Sequence, residues 1–264
     1  MGHLMAHATT VFNLIIMERK IYKEIFSGYG LRYAFQYPGA EVYMLPYIKR
    51  TEEIDYDILA APEYIDAHRP FYTESTDDRY VEYKSLIKLT SLALLPYQCC
   101  IIHAVAVRMN GFCWLISAPP GTGKTTQYYN LKNLYGEKAE MVCGDMPLLQ
   151  TSGNGSIMVY PSPWNGKERI KGKISAPLGG ILLLRQGDQN SIRRMDPSEA
   201  VFPVLTQLAV QPDTEEQALQ IAKFAENLLQ HFPVWEMVNK GDLESSRLAA
   251  ETFRRYIKDQ NNDV

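Results

Sequence analysis

The stretch that decides the fold reads Gly111-Phe112-Cys113-Trp114-Leu115-Ile116-Ser117-Ala118-Pro119-Pro120-Gly121-Thr122-Gly123-Lys124-Thr125-Thr126. The apolar run 112–116 predicts a β-strand, the residues rich in Pro and Gly predict a loop, and the segment that begins at Lys124 predicts a helix. Strand, glycine-rich loop and helix in this order are the context in which a phosphate-binding loop is recognised. The stretch therefore predicts an α/β fold that binds a nucleotide where the strand meets the helix.

Phosphate binding by this loop has a local physical basis. Gly121 and Gly123 allow backbone N–H groups to turn toward an anion, and the following helix points the positive end of its dipole at the same place. Lys124 is predicted to reach the β- and γ-phosphates of ATP, and the Thr125 hydroxyl to contact Mg²⁺. Ala118 replaces the first Gly of the usual pattern, and a small residue still fits there. The predicted nucleotide-binding residues are Pro119, Pro120, Gly121, Thr122, Gly123, Lys124, Thr125 and Thr126.

Composition excludes several classes of protein. The 264 residues are 46% hydrophobic and 22% charged, which is typical of a globular chain and not of a disordered one. A net charge of −3 gives no basic field for nucleic acid or for a membrane surface, and no apolar run reaches the ~20 residues that span a bilayer. Four cysteines without a C-x-x-C pair, and no signal peptide, predict reduced thiols in a cytoplasmic protein.

Two regions are predicted. Residues 1–84 are rich in aromatic residues and irregular, and predict a small β-rich or α+β region; residues 85–264 predict the P-loop domain, a sheet with flanking helices. Helices are predicted over 84–95 and 124–135, after the cap signals Asp196-Pro-Ser-Glu199 and Asp213-Thr-Glu-Glu216, and after Asp242. Strands are predicted over 11–17, 32–37, 99–108, 112–118, 139–145, 157–160, 180–184, 191–195 and 233–238, with Asn110-Gly111 as a hairpin turn.

The acidic residue that accompanies the loop on a later strand distinguishes between the possible functions. Many P-loop ATPases carry Asp-Glu after four apolar residues on a later strand, whereas here the apolar run 181–184 continues into Arg185 and Gln186. An ATPase is therefore the weaker interpretation. Asp145 ends the strand that follows the phosphate-loop helix, and the carboxyl ends of such strands meet at the edge of a sheet where ligands bind. It can bind Mg²⁺ or accept a proton from a hydroxyl, or alternatively it caps the turn 144–147.

Two further residue patterns have a functional and a structural interpretation. His103 interrupts an apolar run beside the predicted phosphate-loop strand, where it is either a core residue or a member of the site. Residues 239–242 read Asn-Lys-Gly-Asp, which matches the guanine-reading string of P-loop switches. Asp242, however, is better placed to cap the helix that follows.

An ordered set of motifs resembles the HPr kinase/phosphorylase catalytic domain and its short relatives, which share a nucleotide site with ATP-dependent phosphoenolpyruvate carboxykinases. The set consists of Ile-His-Ala-Val-Ala-Val (102–107), the loop Ala-Pro-Pro-Gly-Thr-Gly-Lys-Thr-Thr (118–126) and Met-Val-Cys-Gly-Asp (141–145). It continues with Tyr-Pro-Ser-Pro-Trp-Asn-Gly-Lys-Glu (160–168), Pro-Leu-Gly-Gly-Ile-Leu-Leu-Leu (177–184) and Phe-Pro-Val-Trp-Glu-Met (232–237). The resemblance covers about residues 85–257.

The resemblance implies an ATP- and Mg²⁺-dependent serine kinase. It implies that Lys124 binds ATP, that Asp145 acts as the base with His103 beside it, and that Lys167 and Glu168 come from a closing loop in which Glu168 is a second metal contact. The implied acceptor is a hydroxyl on a peptide or small protein, with residues 1–84 as a candidate docking region, and relatives are often homo-oligomers. Gly144 replaces the first of two adjacent acids in the family, which favours an ATP- or GTP-binding regulator without phosphotransfer as the alternative.

Overall fold

The computed structural model describes residues 17–22, 31–35, 56–164, 166, 172 and 174–262, with the backbone alone at 17–22, 31–35, 56, 57 and 59. The chain divides into two compact units, residues 1–93 and 94–264. The elements of the first unit are β1 (Met17–Tyr22), β2 (Leu31–Phe35), β3 (Tyr56–Leu59), α1 (Pro62–His68) and α2 (Asp78–Leu94). Helix α2 ends at the first residue of the second unit. Strand β1 pairs antiparallel with β2, and β2 pairs parallel with β3.

The second unit contains the predicted phosphate-loop stretch, and its described residues form nine strands of one sheet. Its strands are β4 (Cys99–Ile101), β5 (Val105–Met109), β6 (Phe112–Ser117), β7 (Glu140–Cys143), β8 (Leu148–Thr151), β9 (Ile157–Tyr160), β10 (Ala176–Gln186), β11 (Ser191–Arg194) and β12 (Val234–Asn239). Its helices are α3 (Lys124–Tyr135), α4 (Pro197–Leu205), α5 (Glu215–His231) and α6 (Leu243–Asn262).

The sheet pairs most of its strands antiparallel, in the order β4-β8-β9-β10-β6-β5-β7, with β12 on β10 and β11 on β12. The exceptions are β6, β10 and β12, which run parallel to one another. Because β5 is antiparallel to both β6 and β7, the carboxyl ends of β6 and β7 lie at the same edge of the sheet as the amino end of β5. This edge carries the predicted site.

Several predicted elements are confirmed. The helix over 124–135 begins and ends as predicted, and the hairpin between β5 and β6 turns at Asn110 and Gly111, whose φ angles are +53° and +86°. These positive φ angles are the ones that Asn-Gly accommodates in a two-residue hairpin. Asp196 and Glu199 form the predicted capping box at the start of α4, and Asp242 caps α6 by accepting a hydrogen bond from the Ser245 N–H at 2.8 Å.

The predicted strand over 99–108 is wrong, since the structure has two strands, β4 and β5, that pair with different partners. Between them the His103 N–H donates to the Gln207 carbonyl, and the Ala104 N–H to the Asp145 carbonyl, both at 2.7 Å. These bonds to other segments replace ladder bonds and break the strand at His103. Strand β8 was not predicted. Of the predicted strand over 11–17, only Met17 is described, as the first residue of β1, and the rest lies outside the described residues.

The core of the second unit holds the phosphate-loop strand against α6. Trp114 of β6 is 1% exposed and stacks on Phe253 of α6, with 4.1 Å between ring centroids and 6° between planes. Trp235 of β12 packs beside both rings. Because aromatic side chains bury the largest apolar areas, this cluster fixes the strand from which the loop departs. Within the described part of the chain, no helix combines the length and apolarity needed to cross a bilayer, and the cytoplasmic location stays a prediction.

Candidate functional site

The phosphate loop occupies the turn between β6 and α3. Gly121 and Gly123 have φ angles of +80° and +109°, which an L side chain rarely adopts, so glycine is required where the loop turns into the helix. The Thr122 hydroxyl donates to the Pro119 carbonyl at 2.9 Å, and the Gln186 amide donates to the Gly121 carbonyl at 3.3 Å. The first N–H groups of any helix lack partners within it, and those of α3 begin directly behind these glycines.

Lys124 folds back over the loop that precedes it. Its ammonium donates to the Ala118 carbonyl at 2.7 Å, and the residue is only 8% exposed. Thr125 is half-buried and Thr126 is exposed. A cation beside a helix N-terminus is an arrangement that favours a bound anion.

Asp145 and His103 form a pair at the edge of the sheet. His103 Nε2 lies 3.3 Å from Asp145 Oδ1, and the two side chains are 23% and 27% exposed, so they are accessible to a substrate. The backbone of this pair is held by the Ala104 N–H, which donates to the Asp145 carbonyl at 2.7 Å. The Ser117 hydroxyl, at the end of the phosphate-loop strand, donates to the His103 carbonyl at 2.6 Å and thus links the pair to the loop.

The order of the strands brings the pair beside the loop. Asp145 follows β7, His103 precedes β5 and the loop follows β6, and these three strands are neighbours in the order β7-β5-β6. Two strand spacings separate β7 from β6, which amounts to about 10 Å. Asp145 and the loop therefore follow strands that end at the same edge of the sheet, about two strand spacings apart.

Gly166 lies against Asp145. A Cβ added to Gly166, whose φ is +69°, would come within 3.2 Å of the Asp145 Cβ, so a larger residue would press on the carboxylate. The next two residues, Lys167 and Glu168, lie outside the described residues, and their predicted roles stay predictions. Gly144 is buried and contributes no side chain to the site.

Asp242 is engaged in structure at the end of β12. Its Oδ1 accepts hydrogen bonds from the Ser245 N–H at 2.8 Å and from the Asn190 amide at 2.9 Å. The hydrogen bond from Ser245, and to a smaller extent the one from Asn190, lowers the pKa of the Asp242 carboxyl below its ordinary value. The string 239–242 therefore supplies the cap of α6, which is the interpretation that the sequence favoured.

Sequence reasoning missed three residues that connect the site, namely Ser117, Gln186 and Gln207. Gln207 accepts from the His103 N–H through its carbonyl and from the Ser117 hydroxyl through its side chain, at 2.7 and 3.1 Å. Gln186 holds Gly121 from β10. No local pattern marks these residues, because each contact joins segments that are at least 14 positions apart in the chain.

Comparison with known proteins gives a distant structural similarity. No protein-family model matches the chain, and no curated protein sequence matches it. Among solved structures, the Hpr(Ser) kinase/phosphatase from Coxiella burnetii matches over 61% of this chain and 98% of its own, with 13% identity and a TM-score of 0.36. At that distance the similarity carries no weight for function, and the site is interpreted from its own geometry.

Proposed function

We propose that the chain is an ATP-dependent phosphotransferase that transfers a phosphoryl group to a hydroxyl, such as a seryl hydroxyl of a peptide or protein. The observation that carries the proposal is the Asp145–His103 pair, 3.3 Å apart, at the sheet edge that also carries the phosphate loop. A phosphate loop by itself is common to kinases, ATPases and switches. A half-buried carboxylate oriented by a histidine is the additional feature that a hydroxyl acceptor requires.

The residues present fit a nucleotide with magnesium. Left-handed backbone at Gly121 and Gly123 turns the loop around an anion, and the Lys124 ammonium supplies a desolvated positive charge. The Thr125 hydroxyl and the Asp145 carboxylate are oxygen ligands of the kind that Mg²⁺ prefers, and Mg²⁺ takes most of its remaining ligands from phosphates and water. Such a site does not need a cluster of three His, Cys, Asp or Glu side chains to hold the metal ion. The described residues contain no such cluster.

In this proposal the bound nucleotide supplies the phosphoryl group, and the chain positions the reactants. The Asp145 carboxylate accepts the proton of the acceptor hydroxyl, and His103 orients that carboxylate from the side of Oδ1. Lys124 and the backbone N–H groups of the loop neutralise phosphate charge. Positioning and charge neutralisation are the main tasks of a protein in phosphoryl transfer.

A nucleotide-binding regulator without phosphotransfer is the second candidate. The buried Gly144 favours it, because the position next to Asp145 offers no second carboxylate. Transfer chemistry needs one base, and Asp145 supplies it. The two candidates therefore differ in whether phosphate leaves the nucleotide.

The test is transfer from γ-labelled ATP, with Mg²⁺, to a degenerate library of serine-containing peptides. We expect label on seryl hydroxyls, and Asp145→Asn should lower the rate by about 10²–10⁴-fold, because it removes the base and keeps the shape of the side chain. ATP affinity should fall much less than the rate, since Lys124 and the loop still hold the phosphates and the backbone bonds of residue 145 remain. Asp259→Asn, at an exposed carboxylate of α6, is the matched control. Label in free phosphate alone would contradict the proposal in favour of an ATPase, and binding without release of phosphate would favour the regulator.

A further inference from the structure

An apolar groove lies between α4 and α5, on the second unit. Its cavity volume is about 830 Å³, and it is lined by Val201 and Leu205 of α4, Val210 of the connection, and Ala218, Ala222 and Leu229 of α5. The same two helices carry two exposed large apolar residues, Phe202 of α4 and Leu219 of α5, at 75% and 55% exposure. An exposed apolar patch with a concave centre is typical of a surface that binds a partner.

The segment that forms the α4–α5 groove is acidic. Residues 196–230 contain six carboxylates and one lysine, a formal charge of −5, whereas the whole chain carries −3. Glu226 lines the groove, and Glu215 lies on the same helical stripe as Ala218 and Ala222, because residues three and four apart share a face. Glu199 is paired with Arg193, and Lys223 is the basic member of the segment. The net charge selects a partner that carries Lys or Arg.

The connection between α4 and α5 joins the groove to the candidate active site. Leu205 lines the groove, and Gln207, two residues later, accepts hydrogen bonds from the His103 N–H at 2.7 Å and the Ser117 hydroxyl at 3.1 Å. Two residues span at most about 7 Å of chain. The end of the groove at Leu205 therefore lies next to the segment that carries His103, the partner of Asp145.

We infer that the α4–α5 groove docks the acceptor, as a peptide segment with apolar anchors flanked by Lys or Arg. This inference rests on the proposed phosphotransfer and names the class of its substrate. The part of α5 that lines the groove, from Ala218 to Gln230, is about 18 Å long, which matches five or six residues of an extended peptide. A serine that follows such an anchor at the Leu205 end of the groove lies next to the segment that carries His103. Docking then depends on both apolar contact and charge.

The inference is tested with three synthetic peptides of about twelve residues that share one serine. The first has leucine and phenylalanine anchors flanked by arginines, the second replaces the arginines with glutamates, and the third replaces the anchors with glycines. We expect fluorescence anisotropy to show binding of the first to the full chain, and at least about tenfold weaker binding of the other two. Ala222→Lys and Glu226→Lys, which block the groove and reverse its charge, should weaken binding of the first peptide by at least about tenfold. They should raise its KM in phosphotransfer by a similar factor while ATP affinity stays unchanged.

Glu251→Lys is the matched control, because it makes the same charge reversal at an exposed position of α6 and should change none of these values. If the first peptide binds in the groove and receives no phosphate, the docking surface stands and the proposed phosphotransfer fails. If peptides are phosphorylated with the same KM by the wild type and both groove variants, the groove inference is overturned and phosphotransfer stands. Absence of binding up to millimolar peptide, or a chain dimer that Ala222→Lys dissociates, would also overturn it.

Discussion

Lys124→Ala should separate nucleotide binding from folding. In the native chain Lys124 is 8% exposed, and its ammonium donates to the Ala118 carbonyl at 2.7 Å. Removing it leaves that carbonyl with one donor fewer, which costs about 1 kcal/mol, but it also removes the cost of keeping a cation out of water. Because these effects oppose each other, we expect the free energy of unfolding without nucleotide to change by no more than about 1 kcal/mol.

The effect on nucleotide binding should be much larger. Hydrogen bonds to charged groups contribute about 1.5–3 kcal/mol, so losing the contact to phosphate should raise the Kd for ATP by about 10–150-fold. At an ATP concentration of about 100 times the wild-type Kd, the wild type gains about 2.7 kcal/mol of stability, whereas a variant weakened about 100-fold gains about 0.4 kcal/mol. For a unit of this size, these values correspond to upward shifts in Tm of about 5–11 °C and about 1–2 °C.

Scanning calorimetry with and without ATP and Mg²⁺ measures both quantities, and titration calorimetry gives the Kd. Lys132→Ala is the matched control. Lys132 lies in the same helix, about two turns after Lys124, and is paired with Glu137 at 2.9 Å. It should keep the full ATP-dependent shift. A Lys124→Ala protein that shows the wild-type shift and Kd would refute the assignment of the loop as the phosphate site.

Two predictions concern the interior. Gln127→Leu should lower the free energy of unfolding in urea by about 1–3 kcal/mol, because Gln127 bridges the buried hydroxyls of Ser245 and Ser246 at 2.8 and 2.6 Å. Gln260→Leu, at an exposed position, is the control. Equal urea midpoints for the wild type and Gln127→Leu would contradict the prediction. Burial raises the pKa of the Cys99 thiol to about 12, and the other three cysteines are also buried with raised pKa values. The native chain should therefore resist a thiolate-selective disulfide reagent at pH 8 and react fully when unfolded. Because the folded pKa of Cys99 is raised, its contribution to stability is complete below its ordinary 9.0 and is lost as the pH rises toward 12. Rapid modification of the native chain would show that these thiols are accessible.

Local sequence predicted the elements whose form depends on neighbours in the chain. The helix from Lys124 begins behind glycines with positive φ, the hairpin turns at Asn110 and Gly111, and Asp196 forms its capping box. Each of these features uses backbone preferences and hydrogen bonds within a few residues. They could therefore be identified without knowledge of the tertiary structure.

The break in the strand around His103 could not be predicted in this way. The run 99–107 is apolar on both sides of His103 and has the composition of one strand. The chain breaks there because Gln207 and Asp145, far away in sequence, accept the N–H groups of His103 and Ala104. Strand β8 was missed because its role depends on its pairing with β4 and β9, and not on a pattern of its own. Sheet order is a property of such long-range pairings.

The sequence by itself predicted the phosphate loop and identified Asp145 and His103 as candidates, because residue types and spacing carry that information. Whether the two candidates meet was decided by the tertiary structure, which inserts β5 between β6 and β7 and brings Nε2 within 3.3 Å of Oδ1. The same holds for the acidic α4–α5 groove, whose apolar lining comes from two helices and their connection. The physical reason is that the conformation of a loop is set by local backbone preferences, whereas a site assembled from several segments exists only where long-range hydrogen bonds and packing hold them together.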